Sequence, residues 1–159
     1  MSSVYMSNPA YAATKCIDGG YTDSTMCHSM DPSNDPNPPW LMLDQGSPAS
    51  IKAVRIWNRQ GGSHDRLGDH VLETSNDGTN FATCGTYRYP SDAGPHTETC
   101  VATARYLRIR LTNDPVSELH LREVEIFGMD FECHAKKWPR GVCAPSPSIQ
   151  QAPSLQCTP

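Results

Sequence analysis

Tyr106-Leu107-Arg108-Ile109-Arg110-Leu111 alternates side chains strictly, placing Leu107, Ile109 and Leu111 on one face. A period of two belongs to a strand with one buried face, because successive side chains of an extended chain point to opposite sides. Leu121-Arg122-Glu123-Val124-Glu125-Ile126-Phe127 does the same before Gly128. Working outward, strands are expected at Leu41-Met42-Leu43 after Trp40, and at 51–58 with Ile51, Ala53, Val54, Ile56 and Trp57. Others are expected at 69–75, 80–89 and 97–100. Asn76-Asp77-Gly78 marks a turn, since all three tolerate left-handed backbone. No segment carries a helical period. Several short strands separated by turns predict an all-β antiparallel sandwich or barrel.

The flanks differ from this centre. Residues 1–48 read mostly as loop and turn, punctuated by Pro9, Gly19-Gly20 and the proline-rich run from Pro32 to Pro39. Beyond Met129 the pattern stops, and Cys133, Cys143 and Cys157 lie among five prolines. The expected organisation is one domain, 1–129, followed by an irregular Cys/Pro-rich tail or linker, 130–159.

Composition narrows the function classes. The formal net charge of −4 disfavours general nucleic-acid binding and polybasic membrane contact. No apolar run reaches transmembrane length, and Met1-Ser2-Ser3-Val4-Tyr5 lacks the basic start and apolar core of a secretory signal. If the protein is exported, this chain is its mature portion or a fragment. Met26 and Met30 are the only candidate apolar spikes for a lipid surface. Seven cysteines without a CxxC pair indicate disulfides more than zinc, and Cys27, His28, Cys133 and His134 match no usual zinc spacing. No nucleophile elbow, phosphate loop or HExxH motif is present; Ser63-His64-Asp65 is consecutive and so cannot adopt triad geometry. The chain is expected not to be an enzyme.

The chemistry concentrates at Trp57-Asn58-Arg59-Gln60-Gly61-Gly62-Ser63-His64-Asp65-Arg66-Leu67. Arg59 and Arg66 each offer a planar fork of donors, suited to vicinal hydroxyls or an anion. Trp57 could offer an apolar face to a sugar, with His28 or His64 adding a nitrogen. Alternatively, the arginines pair with Asp65, Asp69 or a neighbouring loop and hold the loop's shape.

Five segments together resemble the discoidin-like (coagulation factor V/VIII C-type) domains, a jelly-roll family that includes the F-type, fucose-binding lectins. They are Cys16-Ile17-Asp18-Gly19, Pro39-Trp40-Leu41-Met42-Leu43-Asp44, Asn58-Arg59 through Arg66-Leu67, Glu73-Thr74-Ser75-Asn76-Asp77-Gly78, and Arg105 to Ile109 leading to Leu121–Gly128. The resemblance implies a jelly-roll β-sandwich over about residues 3–128. It also implies a carbohydrate site at His28, Arg59 and Arg66, with His64 as a substitute histidine. Arg59 and Arg66 keep the lectin separation; the motif's aspartate is replaced by Gly61 and its adjacent cysteine pair by Gly62-Ser63. The stretch from His28 to Trp40 is also longer than usual in those lectins.

The resemblance further implies a structural calcium ion, Ca2+, held by side chains of Asp18 and Glu123. Backbone oxygens of Lys15, Gly20 and Arg122 would join them, with Ser24 or Thr25; calcium favours such a set of hard oxygens. Alternatively, Asp18 opens a turn and Glu123 is an exposed strand residue. Cys84 and Cys100 have the separation of a disulfide found in the lectins. The relatives place the partner of the cysteine near the histidine where this chain has Arg122, so Cys16–Cys27 is expected instead. Cys133–Cys143 would form a third bridge, leaving Cys157 over.

Two functions follow as expectations. One is a calcium-stabilised carbohydrate-binding module for fucose or a related sugar, binding a glycan or glycoprotein. The other is a structural or adhesion module in a larger protein assembly. Either would sit outside the cell or on a cell or particle surface.

Overall fold

In a computed structural model the described residues are 1–88, 92–112 and 117–128, together with two strands of the tail. The strands are β1 (Cys27–His28), β2 (Trp40–Asn58), β3 (Asp69–Ser75), β4 (Ala82–Arg88), β5 (His96–Leu111) and β6 (His120–Phe127). All pair antiparallel in the order β1-β6-β2-β5-β3-β4.

β2 and β5 are long enough to serve both halves of the sheet. Trp40–Asp44 pairs with the end of β5, whereas Ala53–Asn58 pairs with β6. Inward side chains of the two halves meet in one core. Leu41, Leu43, Leu72, Leu107 and Ile109 come from one, and Val54, Ile56, Leu121, Val124 and Ile126 from the other. Each such side chain contributes about 1.5–3 kcal/mol by leaving water. The sheet thus closes over itself as a sandwich.

The strands read as separate at 41–43 and 51–58 are one strand, as are those at 97–100 and 106–111. The register of β2 on β5 shifts between Asp44 and Ala49, and again between Ile51 and Ala53. An added residue at such a shift inverts which side chains face inward. The inversion is visible: Leu41, Leu43 and Ile51 are buried before it, and Val54, Ile56 and Asn58 after it.

Four short 3-10 turns make up most of residues 5–25. Ser2 N donates to Trp40 O (2.8 Å) and Met30 N to Ser3 Oγ (3.1 Å), fastening this segment along the start of β2 and the loop after β1. Cys16–Cys27 and Cys84–Cys100 are disulfide-bonded. In the tail, β7 (Val142–Ser146) and β8 (Ser154–Thr158) pair antiparallel, with Cys143 opposite Cys157. The expected Cys133–Cys143 bridge and the boundary at 129 involve residues outside those described.

Candidate functional site

The loop after β2 is shaped by two side chains that pattern reading does not single out. Asn58 is fully buried; its Nδ2 donates to the carbonyls of His64 (2.7 Å) and Asp92 (2.9 Å), and its Oδ1 accepts from Arg59 N (2.8 Å). Asp23 reaches over from the N-terminal segment and accepts from Gln60 N (2.7 Å) and Gly61 N (2.6 Å). A Cβ at Gly61 would stand 2.7 Å from Asp23 Oδ2. A carboxylate from elsewhere therefore occupies the space beside the position where the lectin motif has its aspartate.

Held this way, Arg59 and Arg66 face His28 across a cleft of about 340 Å³, closed by Tyr5, Tyr11, Met26, Asp31 and Glu118. That volume lies at the lower end of small-ligand sites, about 300–1,000 Å³. Arg66 Nε is 3.2 Å from Glu118 Oε2, an ion pair to a neighbouring loop of the kind the alternative reading allows; Asp69 pairs with Arg88 (3.0 Å). Arg59 Nε is buried without a hydrogen-bond partner among the described residues.

His28 sits on β1 opposite His120 of β6, their rings 5.1 Å apart, with the Tyr5 ring 4.6 Å away. Its Nδ1 lies 2.6 Å from Ser29 O and so carries the proton. Burial lowers the His28 pKa, and the charges of Arg59 and Arg66 push the same way. The neutral ring leaves Nε2 as an acceptor beside two arginine donors. Asp31 accepts from Ser33 N and Oγ, which hold its carboxyl below the usual carboxylate range.

Two expected contacts fall elsewhere. His64 does not line the cleft: its Nε2 bonds Gln60 O (2.7 Å) within the loop. Trp57, displaced by the phase inversion of β2, packs against Tyr21 (4.8 Å between rings) and Arg55. Apolar surface at the cleft comes instead from Tyr5, Tyr11 and Met26. Glu118, Asp31 and the two tyrosines were missed by sequence reading, for they stand in segments with no period.

The second candidate site lies at Asp18 and Glu123. Glu123 is buried, not exposed, and Gly19 N donates to its Oε2 (3.0 Å). Burial, with the charges of Asp18 and Glu125, pushes its carboxyl up to about 7. Asp18 Oδ1 accepts from Gly20 N (2.9 Å), and Lys15 Nζ is 3.2 Å from Oδ2. Gly20 has no room for a Cβ, which would strike Thr25 Oγ1 and Asp18 Oδ1. Ser24 Oγ bonds Thr22 Oγ1 (2.8 Å) and Thr25 Oγ1 donates to Thr22 O (3.0 Å). No group of three or more His, Cys, Asp and Glu side chains suited to a metal occurs among the described residues. The donor set is two carboxylates plus backbone and hydroxyl oxygens. Buried Glu123 and exposed Asp18, with these oxygens around them, fit a hard cation such as calcium.

Arg122 joins the two regions. Its guanidinium is buried and donates to the carbonyls of Asn58, Tyr21 (2.8 Å) and Ala93 (2.9 Å).

The profile of the F5/F8 type C family, described as a NedA-like, galactose-binding domain, matches residues 15–109, more than half of the chain. No curated protein matches. Among solved structures, an F-lectin (fucolectin) from striped bass (Morone saxatilis) serum is similar, with 23% identity and a TM-score of 0.70. The match covers 91% of this chain and 51% of the fucolectin, so the chain spans about half of that relative. A Streptococcus pneumoniae fucose binding module aligns with 20% identity, 79% and 86% coverage and a TM-score of 0.61. A Clostridium perfringens module in complex with GalNAc-β-1,3-galactose aligns with 18% identity, 76% and 89% coverage and a TM-score of 0.63.

Proposed function

The chain belongs to the F5/F8 type C family, and from that premise we propose that it is a lectin-like module binding a neutral terminal sugar, fucose or a close relative, in the His28–Arg59–Arg66 cleft. The observation that carries this reading is the convergence of those three side chains on one open cleft. Arg59 and Arg66 are balanced there by Asp31 and Glu118, while His28 is neutral. A charge-balanced cleft rich in donors and acceptors suits hydroxyls better than a carboxylate or phosphate. A sugar hydroxyl would donate to His28 Nε2 and accept from an arginine. The C–H face or methyl group of the sugar would lie on Tyr5, Tyr11 or Met26. Fucose-binding neighbours of the same fold support the choice of sugar.

Calcium, where bound, would be structural: Asp18 and Glu123 with neighbouring backbone oxygens would hold it, neutralising two crowded carboxylates. Two disulfides support a location outside the reducing cytosol. A single shallow site of this kind binds weakly, so useful avidity would come from several copies.

The test is a glycan array probed with the purified chain, with and without calcium, beside Arg59→Ala. Binding to a defined sugar set that the substitution abolishes supports the lectin reading. A blank array from folded, calcium-loaded protein overturns it in favour of an adhesion or scaffold module with a protein partner.

A further inference from the structure

Arg59 is bracketed by two side-chain anchors from different parts of the chain. Its own N–H donates to Asn58 Oδ1 at the end of β2 (2.8 Å). The next two backbone donors go to Asp23, one to each carboxylate oxygen: Gln60 N at 2.7 Å and Gly61 N at 2.6 Å. Hydrogen bonds to an ionised carboxylate are the strong kind. The chain they hold runs into Gly61-Gly62, a sequence with little shape of its own, since glycine loses more conformational freedom on ordering than any other residue. His64 Nε2 bonds Gln60 O (2.7 Å) and Arg122 Nη1 reaches Gln60 Oε1 (3.4 Å), but neither takes the two backbone donors that Asp23 takes.

The fit is also specific to glycine. A Cβ at position 61 would lie 2.7 Å from Asp23 Oδ2 and 3.9 Å from its Cγ, with no other described residue within 4 Å. Gly61 is not left-handed, so the obstacle to a side chain there is Asp23 itself.

We propose that Asp23 is a positioning residue for the sugar site and acts through Arg59. Its carboxylate fixes the path of the Gln60-Gly61 backbone and thereby the point from which the Arg59 side chain enters the cleft. Asp23 does not line that cleft, so recognition depends on a residue that touches no sugar. The inference rests on the sugar-binding reading of the cleft.

Two measurements on the whole chain test it: isothermal titration of methyl α-L-fucoside, and exchange of the Arg59 Nε–H with water followed by NMR. The wild type is compared with Asp23→Ala, Gly61→Ala and the double variant, and melting curves check that each is folded. The Arg59 Nε–H is buried in the free protein and should be protected from water. Asp23→Ala should remove that protection and weaken fucoside binding about tenfold, the scale of one lost charged hydrogen bond. Gly61→Ala pushes the carboxylate off the two amides and should reproduce both effects. Added to Asp23→Ala it meets no obstacle, so it should change either readout by less than about twofold. Wild-type affinity or retained Nε–H protection in Asp23→Ala overturns the proposal, as do additive losses in the double variant. A wild type that binds no fucoside overturns the lectin reading and the positioning role with it. The exchange readout needs no sugar and so tells the two failures apart.

Discussion

Arg66 Nε stands 3.2 Å from Glu118 Oε2, tying the loop after β2 to the segment that leads into β6. The pair sets the charge of the cleft, since Glu118 is buried and faces the same space as Arg59. Replacing the carboxylate with an isosteric amide leaves the arginine in place and makes the cleft net positive. Glu118→Gln is expected to weaken binding of a neutral fucoside severalfold and to raise affinity for a sulfated analogue. Titration of both ligands against both proteins measures the change in preference.

Arg59 separates binding from stability. Its buried Nε has no partner among the described residues, a desolvation cost that an apolar side chain of similar length would not carry, while Arg59 lines the cleft. Arg59→Met should lower sugar affinity by about 10- to 100-fold, the equivalent of a charged hydrogen bond of about 1.5–3 kcal/mol. Its melting temperature should equal or exceed that of the wild type. A variant that lost binding by unfolding would melt earlier.

Calcium should protect the fold through the acidic pair. At a concentration 100 times its Kd, calcium would add about 2.7 kcal/mol to stability. Glu123→Gln removes one of the two side-chain carboxylates and should abolish the calcium-dependent rise in melting temperature. A rise that persisted in that variant would place the ion elsewhere.

His120 governs the acid response of the sugar side. Burial, with His28, Arg59 and Arg66 nearby, pulls its pKa down to about 3, and that of His28 is lowered too. A histidine that titrates lower when folded binds fewer protons than its unfolded form between about 6.5 and 3. Its stabilising contribution is complete above pH 6.5 and falls through that window, by about 1.4 kcal/mol per pH unit while the full proton difference holds. Urea titrations at pH 7 and pH 5 should show the loss, and His120→Gln should reduce the slope. Comparing the two proteins cancels the opposing titration of Glu123.

The Cys16–Cys27 bridge closes a separation of 11 residues immediately before His28. Cys16→Ala/Cys27→Ala should cost about 2–4 kcal/mol in chemical denaturation. It should also weaken sugar binding, because β1 is only two residues long and the bridge fixes where it begins.

The positions of two strands were legible in the sequence: β3 matches the expected 69–75, and β6 begins one residue before the alternating run 121–127. The union of 41–43 with 51–58 was not, because Gly46-Ser47-Pro48 reads as a loop while the backbone there continues through a register shift. The same shift turned Trp57 away from the cleft. Arg59 and Arg66 were found through their spacing within one loop. Glu118, Asp31 and Tyr5 reach the cleft from segments distant in the chain and without period, so no local signal marks them.

The three carbonyls gathered by Arg122 belong to residues 64, 101 and 29 positions away along the chain. None of these contacts exists until the last strand of the domain has emerged and docked. During synthesis, then, the loops around Tyr21, Asn58 and Ala93 are complete as polymer long before they have a shape. A ribosome-bound chain that stops short of residue 122 would hold most of the sandwich's strands and neither recognition surface in working form.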